Sequence, residues 1–437
     1  MKPTAFITGL SALALAASAS ADVTVNITGA TAFRAATLTA IKAKYAASGA
    51  AFKFAHDQAT SGGTTFNGAT RAIFIGTFQG VTGTTTIRCC FNGSVEGIRA
   101  LTNVTDPAPP TYYQSSLLDS TTATVGGAEL ANQGSTGAAA DTSHIAFSDV
   151  RKALTPYASY PMLPADPSVG VIVFTMLTNE GSPITNVTSQ QFRALMATGK
   201  QELKLFTGND THTTNVFATG RNDGSGTRTV YLAETGAGVT NLVKQYTAIE
   251  SSGTALTKIQ LVPQGGRNTP PLTGQLAANA STVWGQDLAG NGGYNSGSTL
   301  RTDMGKTGLA VTVLDEDGND AFGEPVRADL VTFLSLSDAV TARGNGAVFC
   351  SFNGEKLSDI AAAGSSMSAA DKAKVTLGQY TAWGYENMYR RNDITSGDAL
   401  TVYNLLKAAI PDNLGTAGIK KSDMVAGRET DGGTVGF

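Results

Sequence analysis

The 437-residue chain carries 31 Lys and Arg against 34 Asp and Glu, a net charge of −3, with 41% hydrophobic and only 15% charged residues. Scattered basic residues in a slightly acidic chain argue against a nucleic-acid footprint or a polybasic membrane patch. The length allows two or three domains of roughly 100–200 residues with real cores, and the 50 glycines demand a turn-rich fold with long polar connections.

At the N-terminus, Lys2 precedes an apolar run from Ala5 to Ala17 that ends in Ala19-Ser20-Ala21. A charged start, a short apolar stretch and small residues at a cleavage point read as a secretory signal peptide over 1–21. The mature chain is expected to begin at Asp22 and to reside in the periplasm. The run is shorter than the ~20 apolar residues that span a bilayer, and no cysteine stands at the cleavage point to carry a lipid anchor.

Val23-Thr24-Val25-Asn26-Ile27 alternates as a strand and runs into Thr28-Gly29-Ala30-Thr31. From Phe33 to Tyr45 the apolar positions take helical spacing, so Thr31 is placed at a helix start. A strand near Ala51 to Phe54 completes a βαβ opening. Residues 57–70 and 105–140, rich in Thr, Gly, Ser, Ala and Pro, read as surface insertions. Gly93-Ser94-Val95-Glu96-Gly97-Ile98 is a second loop-to-helix entry, with Ser94 as its N-cap and Glu96 in its first turn. Ser143 to Asp149 reads as a strand whose end presents Ser148 and Asp149. Val169 to Thr175 is a buried strand, and Thr188 to Met196 a capped helix. Strands alternating with helices predict an α/β fold with mostly parallel sheets and polar groups gathered at strand ends and helix starts.

The richest stretch is Gly220-Arg221-Asn222-Asp223-Gly224-Ser225-Gly226-Thr227-Arg228-Thr229. Val230, Tyr231, Leu232 and Ala233 continue it as a helix, so the N–H groups of Ser225, Gly226 and Thr227 fall at a helix N-terminus, where orphan donors and the helix dipole favour an anion. Glycines permit close backbone approach, Ser225 and Thr227 add hydroxyls, and Arg221 supplies a planar fork for a tetrahedral oxyanion. Arg228, beyond the helix entry, is expected to contribute little. Neither GxxxxGK[ST] nor GxGxxG is present, so no nucleotide-phosphate loop is indicated.

Other chemistry finds little support. Asp315-Glu316-Asp317-Gly318-Asn319-Asp320 has acidic residues at calcium-loop positions but lacks the Gly and Glu that complete such a loop, and reads as a hairpin turn. Three histidines and three cysteines do not suggest a metal centre, and no cofactor is expected. Cys350 could pair with Cys89 or Cys90, or all three could be buried thiols. No nucleophile elbow, HExxH or Cys–His signature is present, so no catalytic residues are assigned and the chain reads as non-enzymatic.

Several motifs stand in an order that resembles the periplasmic phosphate-binding proteins of ABC phosphate importers, which have a two-lobed type II periplasmic-binding-protein fold. Thr28-Gly29-Ala30-Thr31-Ala32-Phe33 is similar to the family's GATF loop, with Ala32 where an aromatic is common. Gly93 to Ile98 resembles its GS-x-G-G-[IV] helix start, Ala146-Phe147-Ser148-Asp149 its strand end GASD, and Arg221 to Thr227 its R-x-D-G-S-G-T turn. Asn186 to Lys200 resembles a segment of the second lobe, and Gly378-Gln379-Tyr380-Thr381-Ala382-Trp383-Gly384-Tyr385-Glu386 a C-terminal segment of related binding proteins.

The resemblance implies that Thr31, Ala32, Ser94, Asp149, Arg221, Ser225, Gly226 and Thr227 line one cleft. There Asp149 would accept a proton from hydrogen phosphate and reject fully ionised sulfate. It implies one lobe from 22–167, a second from 168–309 and a return to the first over 310–437, with crossovers at Asp166 to Val171 and between Gly308 and Phe349. A monomer delivering phosphate or a related oxyanion to an inner-membrane ABC permease is the expected function; the alternative is a non-enzymatic binding or surface protein for another small ligand. Departures from the pattern are the insertions at 57–90 and 103–140 and Glu96 at a position where glycine is common. Arg34 could add a second cation, though solvation at the surface is the better reading.

Overall fold

A computed structural model describes residues 22–102, 109–241, 243–263, 292–357, 367–415 and 418–437. The expected leader at 1–21 lies outside the described residues, as does the beginning of the 103–140 insertion. The architecture is mixed α/β, a large sheet flanked by helices. No described helix is long and apolar enough to cross a membrane.

The chain opens with β1 (Val23–Gly29), α1 (Arg34–Ala46) and β2 (Phe52–His56), the expected βαβ start. There follow β3 (Arg71–Thr77), β4 (Thr84–Cys90), α2 (Ser94–Ala100), β5 (Ala128–Leu130), β6 (Ile145–Ser148) and β7 (Ser168–Thr178). The second half supplies α3 (Ser189–Thr198), β8 (Lys200–Glu202), β9 (Asn215–Ala218), α4 (Gly226–Glu234), β10 (Ala328–Ser335), α5 (Leu336–Gly344), β11 (Val348–Phe352), β12 (Trp383–Arg391) and α6 (Gly397–Ala409). Across the sheet the strands run β8-β9-β10-β7-β12-β6-β1-β4-β3-β2-β5, with β11 also on β7.

The stretch at 57–90, expected as an insertion, is in large part structural. β3 and β4 form an antiparallel pair, and β4 lies parallel to β1 in the middle of the sheet, Val25 opposite Ile87. Ala72, Ile73, Phe74, Ile87 and Cys89 are all fully buried. Their strand pattern was obscured by the Thr- and Gly-rich sequence around them.

Two large apolar clusters organise the molecule. The smaller holds Ile27, Phe54, Phe74 and Leu406 from the beginning and end of the chain. The larger holds Phe174, Phe192, Phe217, Phe333 and Trp383. Two strands pass from one to the other: β7, whose Val169 is in the smaller cluster and Val171 in the larger, and β12, whose Tyr385 is in the larger and Met388 in the smaller. They lie side by side, antiparallel, with Ile172 opposite Gly384. Where the sequence suggested a return between Gly308 and Phe349, β10, α5 and β11 instead pack into the larger cluster, because β10 and β11 both pair with β7.

Local signals explain several ends. α3 has a full capping box between Thr188 and Gln191 and stops at Gly199 in a left-handed conformation. The acidic stretch at 315–320 is a turn in which the Asp315 Oδ1 accepts from the N–H groups of Asp317 and Asn319, both at 2.9 Å. The three cysteines are free and buried, Cys350 donating to the Ile184 carbonyl at 3.1 Å, so no disulfide forms.

Candidate anion site

β6 ends at Ser148, so Asp149 follows the C-terminal end of an interior strand of the sheet, at the point where α2 and α4 both begin. The Asp149 carboxylate is 2% exposed, and two hydroxyls donate to it from far away in sequence. Ser94, the first residue of α2, donates to Oδ1. Thr227, in the first turn of α4, donates to Oδ2 at 3.1 Å. Three of the quoted motifs thus meet at a single carboxylate.

The expected N-cap role of Ser94 is not observed: Gly93 occupies that position, with φ of 124°, and the Ser94 hydroxyl is committed to Asp149. A strongly positive φ is open only to glycine. A Cβ on Gly93 would lie 2.5 Å from the Gly224 carbonyl oxygen, which in turn accepts a hydrogen bond from the Val95 N–H at 3.1 Å. The start of α2 is therefore seated directly on the glycine turn that precedes α4. Gly226 has the same necessity, since a Cβ there would overlap Asp149 Oδ1 and the Ser94 hydroxyl.

Ser225 is the N-cap of α4, its hydroxyl accepting from the Arg228 N–H at 3.4 Å. Arg221 lies 3% exposed, its Nε donating to the Tyr294 carbonyl at 3.0 Å and one terminal nitrogen to the Asn295 carbonyl at 3.1 Å. Another face of its guanidinium approaches Gly297, where the Asp338 carboxylate also converges. Arg228, expected to contribute little to anion binding, is buried beside Asp223, whose charge partly offsets the cost of burying the guanidinium.

Thr31 and Ala32 are less involved. α1 begins at Arg34 with Phe33 as its cap, so Thr31 lies in the preceding loop, half-buried, rather than at the helix start. Ala32 packs against the larger apolar cluster. Glu96 pairs with Arg99 one turn along α2 at 2.5 Å, which removes most of the repulsion that an acidic residue near an anion site would exert.

Electrostatics set the character of the site. Burial raises the Asp149 carboxyl above its usual range, and the hydrogen bonds from Ser94 and Thr227 and the charge of Arg221 only partly oppose this. Burial likewise disfavours the charge on Arg221, with Asp338 and then Asp149 restoring it. Glu386 on β12 is wholly buried with neither carboxyl oxygen hydrogen-bonded; burial and the charge of Asp149 push it well up. Asp431 accepts from the Arg151 N–H at 2.7 Å and is raised to about 6, mainly by burial. A carboxyl that holds a proton can donate, and one that loses it can only accept.

Sequence reasoning missed Asp338, the carbonyls of Tyr294 and Asn295, and Asp431. Asp338 had a signal, since Ser335-Leu336-Ser337-Asp338 has the spacing of a capping box at the start of α5. Carbonyl ligands to a guanidinium have no side-chain signature. Glu386 was present in a quoted motif without a role.

No family model matches the sequence, and no curated protein matches it. Among solved structures, the chain is similar to a phosphate ABC transporter substrate-binding protein from Clostridium perfringens with bound phosphate, at TM-score 0.40 and 10% identity over 91% of this chain and 99% of that one. It is similar to an ABC-type phosphate transport receptor from Vibrio cholerae at TM-score 0.40 and 12% identity, covering 90% and 96%. It is also similar to PstS from Borrelia burgdorferi at TM-score 0.36 and 12% identity, covering 91% and 100%. At such identities and TM-scores, what those proteins bind belongs to them and is not thereby a property of this chain.

Proposed function

We propose that the chain is an exported solute-binding protein that captures hydrogen phosphate, or a closely related oxyanion, between two lobes. The observation that carries this reading is the junction of Ser94, Asp149 and Thr227 against Gly226, with Arg221 close by. Two helix starts and a guanidinium suit an oxyanion, and a carboxyl facing it requires that the oxyanion bring a proton. The matching motif order supports the same reading. In this reading the lobes correspond to the two apolar clusters, they close about β7 and β12, and the loaded monomer passes its ligand to an ABC permease after export by the leader at 1–21.

Non-enzymatic capture fits the chemistry of the junction. The Ser94 hydroxyl is held by a carboxylate, whereas a nucleophilic serine is ordinarily activated by an adjacent base such as histidine. His144 is engaged elsewhere, its Nδ1 accepting from the Asn26 N–H at 3.0 Å. Isothermal titration with phosphate, sulfate and molybdate tests the reading. Phosphate is expected to bind and sulfate to bind at least tenfold more weakly; absence of heat with phosphate while another anion binds would transfer the site to that ligand.

A further inference from the structure

Beside the anion junction lies a cavity of about 360 Å³, between the start of α1 and the start of α5. Ala32, Phe33 and Ala36 form one wall, Ser335 and Leu336 the other, and Ile172 of β7 the floor. The size is at the lower end of the roughly 300–1,000 Å³ typical of small-molecule sites, and a largely apolar lining with a few polar groups is their usual composition. Its walls come from elements of both apolar clusters, α1 with the smaller and α5 with the larger.

The cavity and the junction share their boundary. Ser335 in the cavity wall lies 3.4 Å from Asp338 Oδ2, and that carboxylate converges with the Arg221 guanidinium at Gly297. Asp338 also accepts from Arg301 at 2.7 Å. Arg34, flanked in sequence by cavity-lining Phe33 and Ala35, feels the charges of Asp338 and Arg301, and Arg221 in turn feels Arg34. Among the described residues Arg34 makes no hydrogen bond or ion pair, although it is only partly exposed. Arg34, Arg221 and Arg301 therefore lie within electrostatic reach of Asp338 at the edge of an apolar cavity, with Asp57 and Asp149 also acting on them. The Arg34 guanidinium, the one among them with no partner of its own among the described residues, suits an anionic head group, and the cavity suits an uncharged body attached to it.

We infer that the site takes a small organophosphorus anion, a phosphate monoester or phosphonate, with its tetrahedral head at Arg221 and Arg34 and a compact apolar substituent in the cavity between α1 and α5. This rests on the anion reading above and adds the substituent. A bare inorganic anion has nothing to place against Phe33, Ile172 and Leu336, whereas a phenyl-sized group removes apolar surface from water there.

Titration of the full-length mature chain with inorganic phosphate, phenyl phosphate and phenylphosphonate tests it. The aryl ligands are expected to bind at least tenfold more tightly than inorganic phosphate. Ala35→Leu and Ser337→Leu fill the cavity from opposite walls at exposed positions, where added bulk is compatible with folding; each should abolish the aryl advantage while leaving inorganic phosphate within twofold. Arg34→Gln should weaken all three at least fivefold, and an unchanged affinity would remove Arg34 from the site. Equal affinity for phosphate and phenyl phosphate, or an aryl advantage that survives both fillers, overturns the substituent site and leaves the phosphate reading standing. Failure of every phosphorus anion to bind overturns the reading on which it rests.

Discussion

The Thr227 hydroxyl donates to Asp149 Oδ2 at 3.1 Å across 78 positions of sequence. This bond ties the end of β6 to the first turn of α4, and it makes Asp149 the anion that the N-terminus of α4 faces. Any ligand must share that ground with a carboxylate, so the protonation of the pair decides which ligands are accepted.

Replacement of Asp149 by Asn separates two roles. If Asp149 accepts a proton from the ligand, Asp149→Asn introduces a donor, and sulfate gains on hydrogen phosphate by at least tenfold. If Asp149 only holds Ser94 and Thr227 in place, the ratio stays flat while stability falls by about 1–3 kcal/mol. Calorimetry with both anions on wild type and variant distinguishes them; a flat ratio eliminates proton-based selection.

Gly226→Ala sets a Cβ on top of Asp149 Oδ1 and the Ser94 hydroxyl. The expected loss is about 3 kcal/mol of stability, of the kind produced by overpacking, together with any anion binding. Gly224→Ala is the contrast. Its nearest neighbour would be Glu96 Cγ at 3.0 Å, a tight contact and not an overlap, so the cost should be clearly smaller than that of Gly226→Ala. Urea unfolding of both variants checks the difference, and equal losses would refute the role of the Gly226 contact.

Arg221→Lys should fail almost as badly as Arg221→Ala. A lysine has no second and third nitrogen in a fixed fork to reach the Tyr294 and Asn295 carbonyls while keeping a charge toward the junction. Affinity should fall by about 2–5 kcal/mol. The Tyr294 carbonyl keeps the Asn222 N–H at 3.0 Å and Asn295 is exposed, so the lost hydrogen bonds should lower stability by only about 0.5–1.5 kcal/mol. Retained affinity in Arg221→Lys would show that only the point charge matters.

Asp431 gives a pH signature. Its folded value, about 6, lies above the ordinary 3.8, so the native state holds its proton more tightly than the unfolded chain does. Stability is highest below about pH 4, falls as pH rises through that interval, and reaches a constant deficit above pH 6, on the order of 3 kcal/mol. Asp431→Asn keeps an oxygen for the Arg151 N–H and removes the titration. It should therefore be more stable than wild type at pH 7.5, by an amount that shrinks toward pH 4.5. A pH-independent difference in urea midpoints would contradict this.

The parts of this site legible in sequence are those made by short, local chemistry. The turn Asp223 to Thr227 gives a helix start wherever it occurs, and Asp149 at the end of an apolar run must emerge at a strand end. Their meeting could not be read from composition or periodicity, because it depends on how β6 and α4 are brought together through β7 and β12. Thr31 was placed one loop too far into α1, since the aromatic at Phe33 and not the hydroxyl marks where the helix begins. The burial of Arg228 was not legible for a similar reason: helical position alone does not tell which face of α4 is covered.

β7 and β12 are strands that each run from one apolar cluster into the other, and they are paired along Ser168 to Val173 and Trp383 to Asn387. Two connections bonded to each other cannot lengthen or bend independently, as two separate linkers could. Spreading the clusters apart would rupture the ladder, whereas rotating one against the other about the strand direction changes only its coiling, which strands already possess. Along these two strands the softer motion is therefore expected to be a wringing of one ribbon, with a stiffness set by the side chains along it.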